Sequence, residues 1–469
     1  MISESIASII DRTVVINGDR VSVLNETKLR DNVIDELVHQ AVFGDLKDRP
    51  VARWLIWEIG QELGIRSSSI HSVYIARGRK VIPNGFTVPA MNFRGMAYDT
   101  ARALFKAANQ ANTKAFICEL ARGEMGYTDQ TPAEYVICMI AGAIKEGYTG
   151  PLFIQGDHFQ PKCSIEPGVP DPGEIDTISK LIKDALDAGF YNIDIDASTL
   201  VDLGKPTVAE QQAPNVHYTA EFIDLIRSLE PAGMTVSVGG EIGHIGGKNS
   251  TVEDFTTYMN GLVDRGGDQA LISKISVATG TSHGGVVNPD GSLAQVQVDF
   301  NVLKDITAVA QDEYNIGGTV QHGASTLPEN MLHLFPPTGS VEIHLATGFQ
   351  NMLMDHLEFP KPLLQEMYAW IDRTKQEERE EGQTIEQFHY KLRKKCWGAF
   401  KQATWDLSDS TKQALRNALT DKFLLIFKEL GVNNQADIIM EHTPVHEIHK
   451  EVVDFAVPAP IKEVVGLSD

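Results

Sequence analysis

Residues 151–161 read PLFIQGDHFQP. The apolar run Leu152–Ile154, bounded by Pro151 and Gly156, has the length and make-up of a strand buried on both faces, and it ends in Asp157-His158. Seven further runs share this character: TVPAMN (87–92), KAFICEL (114–120), YNIDIDA (191–197), TVSVGGE (235–241), KISVATG (274–280), GTVQHG (318–323) and SVEIHLA (340–346). Between them lie segments of helical period. In 174–188, Ile175, Ile178, Leu181, Ile182, Ala185 and Leu186 share one face, and 97–110, 132–146, 218–229, 252–264 and 298–310 are similar. Eight strands alternating with helices predict an α/β fold, a closed (β/α)8 TIM barrel over 81–357, with an open doubly wound sheet as the alternative.

Outward from the barrel, residues 1–80 read as a helical N-terminal extension, strongest at 28–43 and 50–63, set against the barrel's bottom or side. Residues 358–469 read as a charged helical C-terminal extension, with KQEEREEGQ at 375–383 and an amphipathic stretch at 411–430, forming a solvated or subunit-facing layer. The loops 159–173 and 199–217, rich in Pro, Gly and polar residues, are candidates for a lid.

Composition narrows the function. The 469 residues are 42% hydrophobic and 22% charged, ordinary for a globular protein, and the net charge of −22 argues against nucleic acid or an anionic membrane as partner. A small molecule is the expected partner, and a homo-oligomer the expected assembly. Cys118, Cys138, Cys163 and Cys396 are scattered without CxxC spacing, so no zinc ribbon or disulfide framework is indicated. No secretory signal and no 18-residue apolar run is read, which predicts a reduced, cytoplasmic protein.

In such a barrel the functional groups gather where strands end. Strand three ends in Asp157-His158, strand four carries Asp194 and Asp196, and strand five ends in Gly240-Glu241. Strand six runs into Ser282-His283-Gly284, and strand seven ends in His322-Gly323-Ala324-Ser325. Three histidines and a carboxylate at the same end of different strands can converge on one point. Imidazole and carboxylate are the usual nitrogen and oxygen ligands of zinc, and an open fourth position suits catalysis. Gly284 and Gly323, each following a histidine, allow close backbone approach to a ligand. Each residue alone has a plainer reading: a structural histidine, a salt-bridged Glu241. Their shared position at strand ends favours zinc or another divalent metal held by His158, His283, His322 and Glu241. A second group, His442, His446 and His449 in EHTPVHEIHKE, is interrupted by Pro444 and reads as a solvated helix end.

At these residues, over roughly 87–350, the chain resembles the class II, metal-dependent ketose-bisphosphate aldolases. Asp157-His158 matches the family's Asp-His pair, Glu241-Ile242-Gly243-His244-Ile245-Gly246-Gly247 its ELGxxGG stretch, and His283 and His322 its later zinc histidines. Pro89-Ala90-Met91-Asn92 matches its first-strand PA-x-N, and Asp196 its fourth-strand Asp. GYTDQTPAEY (126–135) followed by GDHFQP (156–161) is similar to the accessory subunit of tagatose-bisphosphate aldolase. There are departures. Lys248 and Asn249 stand where acidic residues are common, GGVVNPDG after His283 lacks the phosphate-holding Lys, and the family's Asn-x-Asp-Thr reads His344-Leu345-Ala346-Thr347, keeping Thr347 alone. They point away from a bisphosphate and towards an unphosphorylated or differently charged sugar.

The resemblance implies retro-aldol and aldol chemistry at C3–C4 of a ketose or ketose phosphate of the fructose or tagatose type. Metal held by His158, His283 and His322 polarises the C2 ketone. Asp157 takes the C4 hydroxyl proton, and Glu241 is an alternative ligand or assists proton transfer. Asn92, Asp196, Gly284, Gly323, Ser325 and Thr347 orient substrate. The same residues serve a ketose 4-epimerase if the aldehyde fragment rotates and re-adds. A non-catalytic subunit of tagatose-bisphosphate aldolase is the alternative of another class.

Overall fold

The computed structural model describes residues 2–243, 248–266, 272–280 and 298–456. An antiparallel hairpin of β1 (Val14–Asn17) and β2 (Arg20–Val23) lies near the start, and β3 (Ile65–Ser68) follows two helices. The eight expected strands come next: β4 (Val88–Asn92), β5 (Ile117–Ala121), β6 (Gly150–Phe159), β7 (Asn192–Ile195), β8 (Ser237–Glu241), β9 (Lys274–Val277), β10 (Thr319–Gln321) and β11 (Glu342–Leu345). Each pairs in parallel with its sequence neighbour, and β11 pairs with β4 (Ile343 opposite Pro89), closing the ring. This is the (β/α)8 barrel. The doubly wound sheet is excluded by that closure.

β6 spans ten residues because it serves two neighbours on one edge. Gly150–Phe153 pairs with β3, whereas Gln155–Phe159 pairs with β7. Neither β3 nor the hairpin was anticipated: four-residue strands in a helical stretch leave too short a pattern to read.

The N-terminal segment covers both bottom and side. Helices Ile34–Phe43 and Asp48–Glu62 pack on each other and on Pro132–Lys145 of the outer ring. Helix His71–Gly78 closes the end of the barrel where strands begin. Arg77, fully buried, donates to the carbonyls of Phe86 (2.7 Å) and Gly339 (3.1 Å), and Tyr74 donates to Glu342 Oε2 inside the barrel (2.5 Å).

The barrel interior is ionic rather than aliphatic. Lys274 Nζ, fully buried, donates to Gln155 Oε1 (2.7 Å), Asp194 Oδ2 (2.9 Å) and Glu342 Oε1 (2.5 Å). Gly239 leaves the space: a Cβ there would lie 2.3 Å from Asp194 Oδ1 and 2.9 Å from the Lys274 side chain. TIM-barrel centres are filled mainly by branched apolar side chains. Here a buried cation offsets buried carboxylates, an arrangement stable only when nearly every partner is satisfied.

Two expectations are corrected. Helix Val208–Leu229 begins ten residues before the expected start, so the predicted loop 199–217 ends at a Thr207–Glu210 capping box. Pro214 lies inside this helix, where Gln212, Asn215 and Val216 are buried and Asn215 Nδ2 donates to the Glu241 carbonyl (2.9 Å). Tertiary anchoring outweighs the roughly 3 kcal/mol that an internal proline costs. The C-terminal segment is likewise no solvated tail. Helix Asp409–Glu429 lies along Ala97–Ala111 and buries Leu415, Leu419, Phe423 and Ile426, with Phe423 against Phe93 and Phe349. After His442 the chain leaves the helix and runs as a strap across Asp48–Glu62, where Trp54 Nε1 donates to the Lys450 carbonyl (2.8 Å) and Trp57 Nε1 to that of Ile448 (2.7 Å). His449 Nδ1 lies 2.6 Å from Glu58, and among the described residues no metal-holding group includes His442, His446 or His449. No helix among the described residues is long and apolar enough to cross a membrane.

Candidate functional site

In a regular strand Asp157 and His158 would point to opposite faces. At the end of β6 they do not. The register with β7 shifts between Gly156 (opposite Ile193) and Phe159 (opposite Ile195), and His158 takes a left-handed backbone conformation, φ +45°. That conformation costs a non-glycine residue about 1–3 kcal/mol. The bulge turns both side chains into one pocket at the barrel mouth. Gly156 permits it: a Cβ there would stand 2.4 Å from the Phe159 ring.

Beside the bulge stand His322, just beyond β10, and Glu241, ending β8. His158 and His322 have ring centroids 4.3 Å apart, and His322 Nδ1 lies 3.3 Å from Glu241 Oε2. Metal–ligand bonds of about 2.0–2.1 Å at tetrahedral angles separate donor atoms by roughly 3.3 Å. One donor atom from each of His158, Glu241 and His322 lies within 4.8 Å of the others. The set therefore fits a divalent ion in size and chemistry. His158 Nδ1 lies 3.1 Å from Asp196 Oδ2, and His322 Nε2 lies 3.3 Å from Ser276 Oγ, the kind of contacts that orient ligating imidazoles. His283 and Gly284 lie outside the described residues.

The other predicted residues divide in two. Asn92, Gly323, Ser325 and Thr347 line the pocket with Asp157 and His158. Asn92 Nδ2 donates to Asp157 Oδ2 (3.2 Å) and to Glu124 Oε2 (2.6 Å), and Ser325 Oγ accepts from the Ala346 amide. Asp196 is not brought to the pocket. It is buried behind His158, with its oxygens also engaged by Gln160 and by Ser198 (2.5 Å from the hydroxyl).

Three pocket residues were not assigned a role: Arg94, Glu124 and His344. Arg94 Nε donates to Glu124 Oε1 (2.6 Å), and its Nη1 to Thr347 Oγ1 (3.0 Å). His344 Nδ1 lies 3.2 Å from Asp157 Oδ1 and 3.3 Å from Glu119 Oε2, and its Nε2 lies 2.7 Å from Glu342 Oε1. Arg94 and Glu124 just follow β4 and β5, and His344 lies in β11. The strand-end rule, applied to all eight strands, would have found the first two; His344 appeared only as a departure from the family's pattern.

The electrostatics follow from crowding charges out of water. Burial opposes a charged His158, but Asp157, Asp196 and Glu241 outweigh it and raise its pKa to about 10. Burial likewise opposes ionised Asp157, yet His158, His344 and Asn92 hold its carboxyl well below the usual range. Glu241 moves the other way, to about 8, through burial and then Asp196. Neighbouring carboxylates thus sit in opposed environments, a pattern concentrated at functional sites.

None of the curated proteins matches the chain. Among solved structures it is similar to the YdjI aldolase of Escherichia coli K12 (15% identity, covering 78% of this chain and 98% of that one, TM-score 0.46). It is also similar to the fructose-bisphosphate aldolase of Campylobacter jejuni (16%, 79% and 98%, TM-score 0.47). A third is the fructuronate-tagaturonate epimerase UxaE of Cohnella laeviribosi (11%, 75% and 82%, TM-score 0.52), a likeness of fold. The profile described as fructose-bisphosphate aldolase class-II matches residues 79–412. That match covers well over half of the chain and takes in every residue of the site, so the protein belongs to the class II fructose-bisphosphate aldolase family and is an enzyme of its aldolase-like lyase class.

Proposed function

We propose that the protein carries out metal-dependent retro-aldol and aldol chemistry at C3–C4 of an unphosphorylated ketose of the fructose or tagatose type. The observation that carries this reading is the convergence of donor atoms of His158, His322 and Glu241, next to a pocket that His158 and Asp157 line. His283, from the strand-six loop, completes the proposed ligand set. Zinc, or another divalent ion, would supply Lewis-acid polarisation of the C2 ketone when bound. Asp157 accepts the C4 hydroxyl proton as the C3–C4 bond breaks, and the bonding pair passes towards the C2 ketone. Asn92 holds Asp157, Asp196 holds His158, and Ser325, Thr347 and the backbone at Gly323 and Gly284 meet substrate hydroxyls.

An unphosphorylated substrate is supported by the cations near the strand ends. The strand-six loop 281–297 (TSHGGVVNPDGSLAQVQ) contains no Lys or Arg, and Lys248 is the single Lys or Arg in 244–251. Arg94 is paired with Glu124, and Arg122 with Glu174 (2.6 Å). A neutral guanidinium–carboxylate pair offers donors and acceptors to hydroxyls, not net charge to a phosphate.

A second reading, ketose 4-epimerisation, is favoured by the bracing of the loop that follows β6. Thr199 Oγ1 donates to the Pro161 carbonyl (2.8 Å), and a Cβ on Gly168 would lie 3.2 Å from Pro214 of helix Val208–Leu229, so loop 159–173 is braced against the segment that follows β7. A closed site would retain the aldehyde fragment, and its rotation before re-addition inverts C4. The neighbour named as a fructuronate-tagaturonate epimerase is in keeping with it. A cytoplasmic homo-oligomer fits either reading, and the four free thiols support a reducing compartment.

The test is metal analysis of the purified protein, then product analysis with fructose, tagatose and their phosphates. We expect about one divalent ion per chain, and trioses from an unphosphorylated hexose; a C4-inverted hexose selects the second reading. His322→Ala should lose ion and turnover together. Preference for a bisphosphate would remove the unphosphorylated substrate, and full activity in a verified metal-free sample would remove the metal.

A further inference from the structure

We propose that His344 is a positioning residue that holds the Asp157 carboxylate in register with the substrate; this rests on the reading that Asp157 handles the C4 hydroxyl proton. His344 is 5% exposed and faces acceptors at both ends: Glu342 Oε1 at 2.7 Å from Nε2, and Asp157 Oδ1 at 3.2 Å from Nδ1. An acceptor at each nitrogen calls for an N–H at each, so the ring acts as a two-ended donor.

The far end of that ring is anchored more firmly than the near end. Glu342 Oε1 also accepts from Lys274 Nζ (2.5 Å) and Gln155 Nε2 (2.9 Å), and its Oε2 accepts from Tyr74 of the bottom helix (2.5 Å). His344 therefore links a rigid lattice in the barrel to one oxygen of Asp157. The other oxygen accepts from Asn92 Nδ2 (3.2 Å). Two donors, one per oxygen, fix the plane of the carboxylate. This matters because Asp157 lies beside the left-handed His158, where the strand alone does not dictate its direction.

The test uses the full-length, metal-loaded enzyme on its best ketose, with His344→Leu, His344→Gln and Asp157→Asn. Misplacing a reacting group by about 1 Å costs roughly 100-fold. We expect His344→Leu to lower kcat by about that factor, with KM and bound metal unchanged. His344→Gln keeps one N–H and should recover part of the loss, and it carries the test if the Leu variant does not fold. In the Asp157→Asn background His344→Leu should cost almost nothing more, because its effect passes through Asp157. Loss of bound metal would make His344 a ligand, a raised KM with normal kcat would make it a substrate contact, and undiminished cost in the Asp157→Asn background would make it independent. Each overturns the proposal. Near-normal turnover in Asp157→Asn alone removes the underlying reading instead.

Discussion

The two ends of the barrel are built from the same eight strands and solve opposite problems. At the end where strands begin, helix His71–Gly78 seals the opening, and the buried Arg77 donates to the carbonyls of Phe86 and Gly339. Where strands finish, Asp157, Glu241 and their histidines crowd together, and His158 is held in a strained conformation. One end is arranged for stability, the other for chemistry at stability's expense.

Gly156→Ala should separate them most sharply. The new Cβ collides with the Phe159 ring, the bulge shifts, and turnover should fall by about 100-fold while the thermal midpoint moves by a few degrees. An unchanged kcat would mean that the bulge does not aim Asp157 and His158. The reverse should hold for Arg77→Met, which strands two buried carbonyls and should cost about 2–5 kcal/mol in denaturant unfolding at normal turnover per folded molecule. A matching loss of kcat would show that the ends are not separable.

The smallest effect concerns neither end but the C-terminal strap. Burial lowers the Lys450 ammonium to about 8, against Asp454, Asp187 and Glu58. Between about 8 and its ordinary value near 10.5, the undocked strap binds more protons than the docked one. Docking should therefore strengthen as pH rises through that window and stay level below it. Hydrogen exchange of the strap amides reads this directly, and Lys450→Met should flatten the profile.

The barrel was legible because each strand is a short apolar run between turn residues, and the strand ends also pointed to Asp157, His158, Glu241 and His322, which lie close together, whereas His283 and Gly284 lie outside the described residues. What the sequence hid was hidden for physical reasons. Pro214 reads as a breaker unless the buried Asn215 contact with Glu241 is known. Leu415, Leu419, Phe423 and Ile426 make a stripe that looks the same whether a partner or the chain itself covers it. Arg94 and Glu124 carry no motif, and their relation emerges only when β4 and β5 are side by side.

Helix Ala97–Ala111 carries a lesson for anyone trimming this enzyme. Six of its fifteen residues are alanine, and Ala101, Ala103, Ala107 and Ala108 are all buried, because the helix touches the barrel on one side and Asp409–Glu429 on the other. It is written for two neighbours. A chain cut back to the barrel would leave that second face bare, its alanines exposed and Asp99 without its Arg416 partner. The segment after the barrel is thus no removable appendage: minimal versions should be sought by recoding this helix's outer face, not by truncation alone.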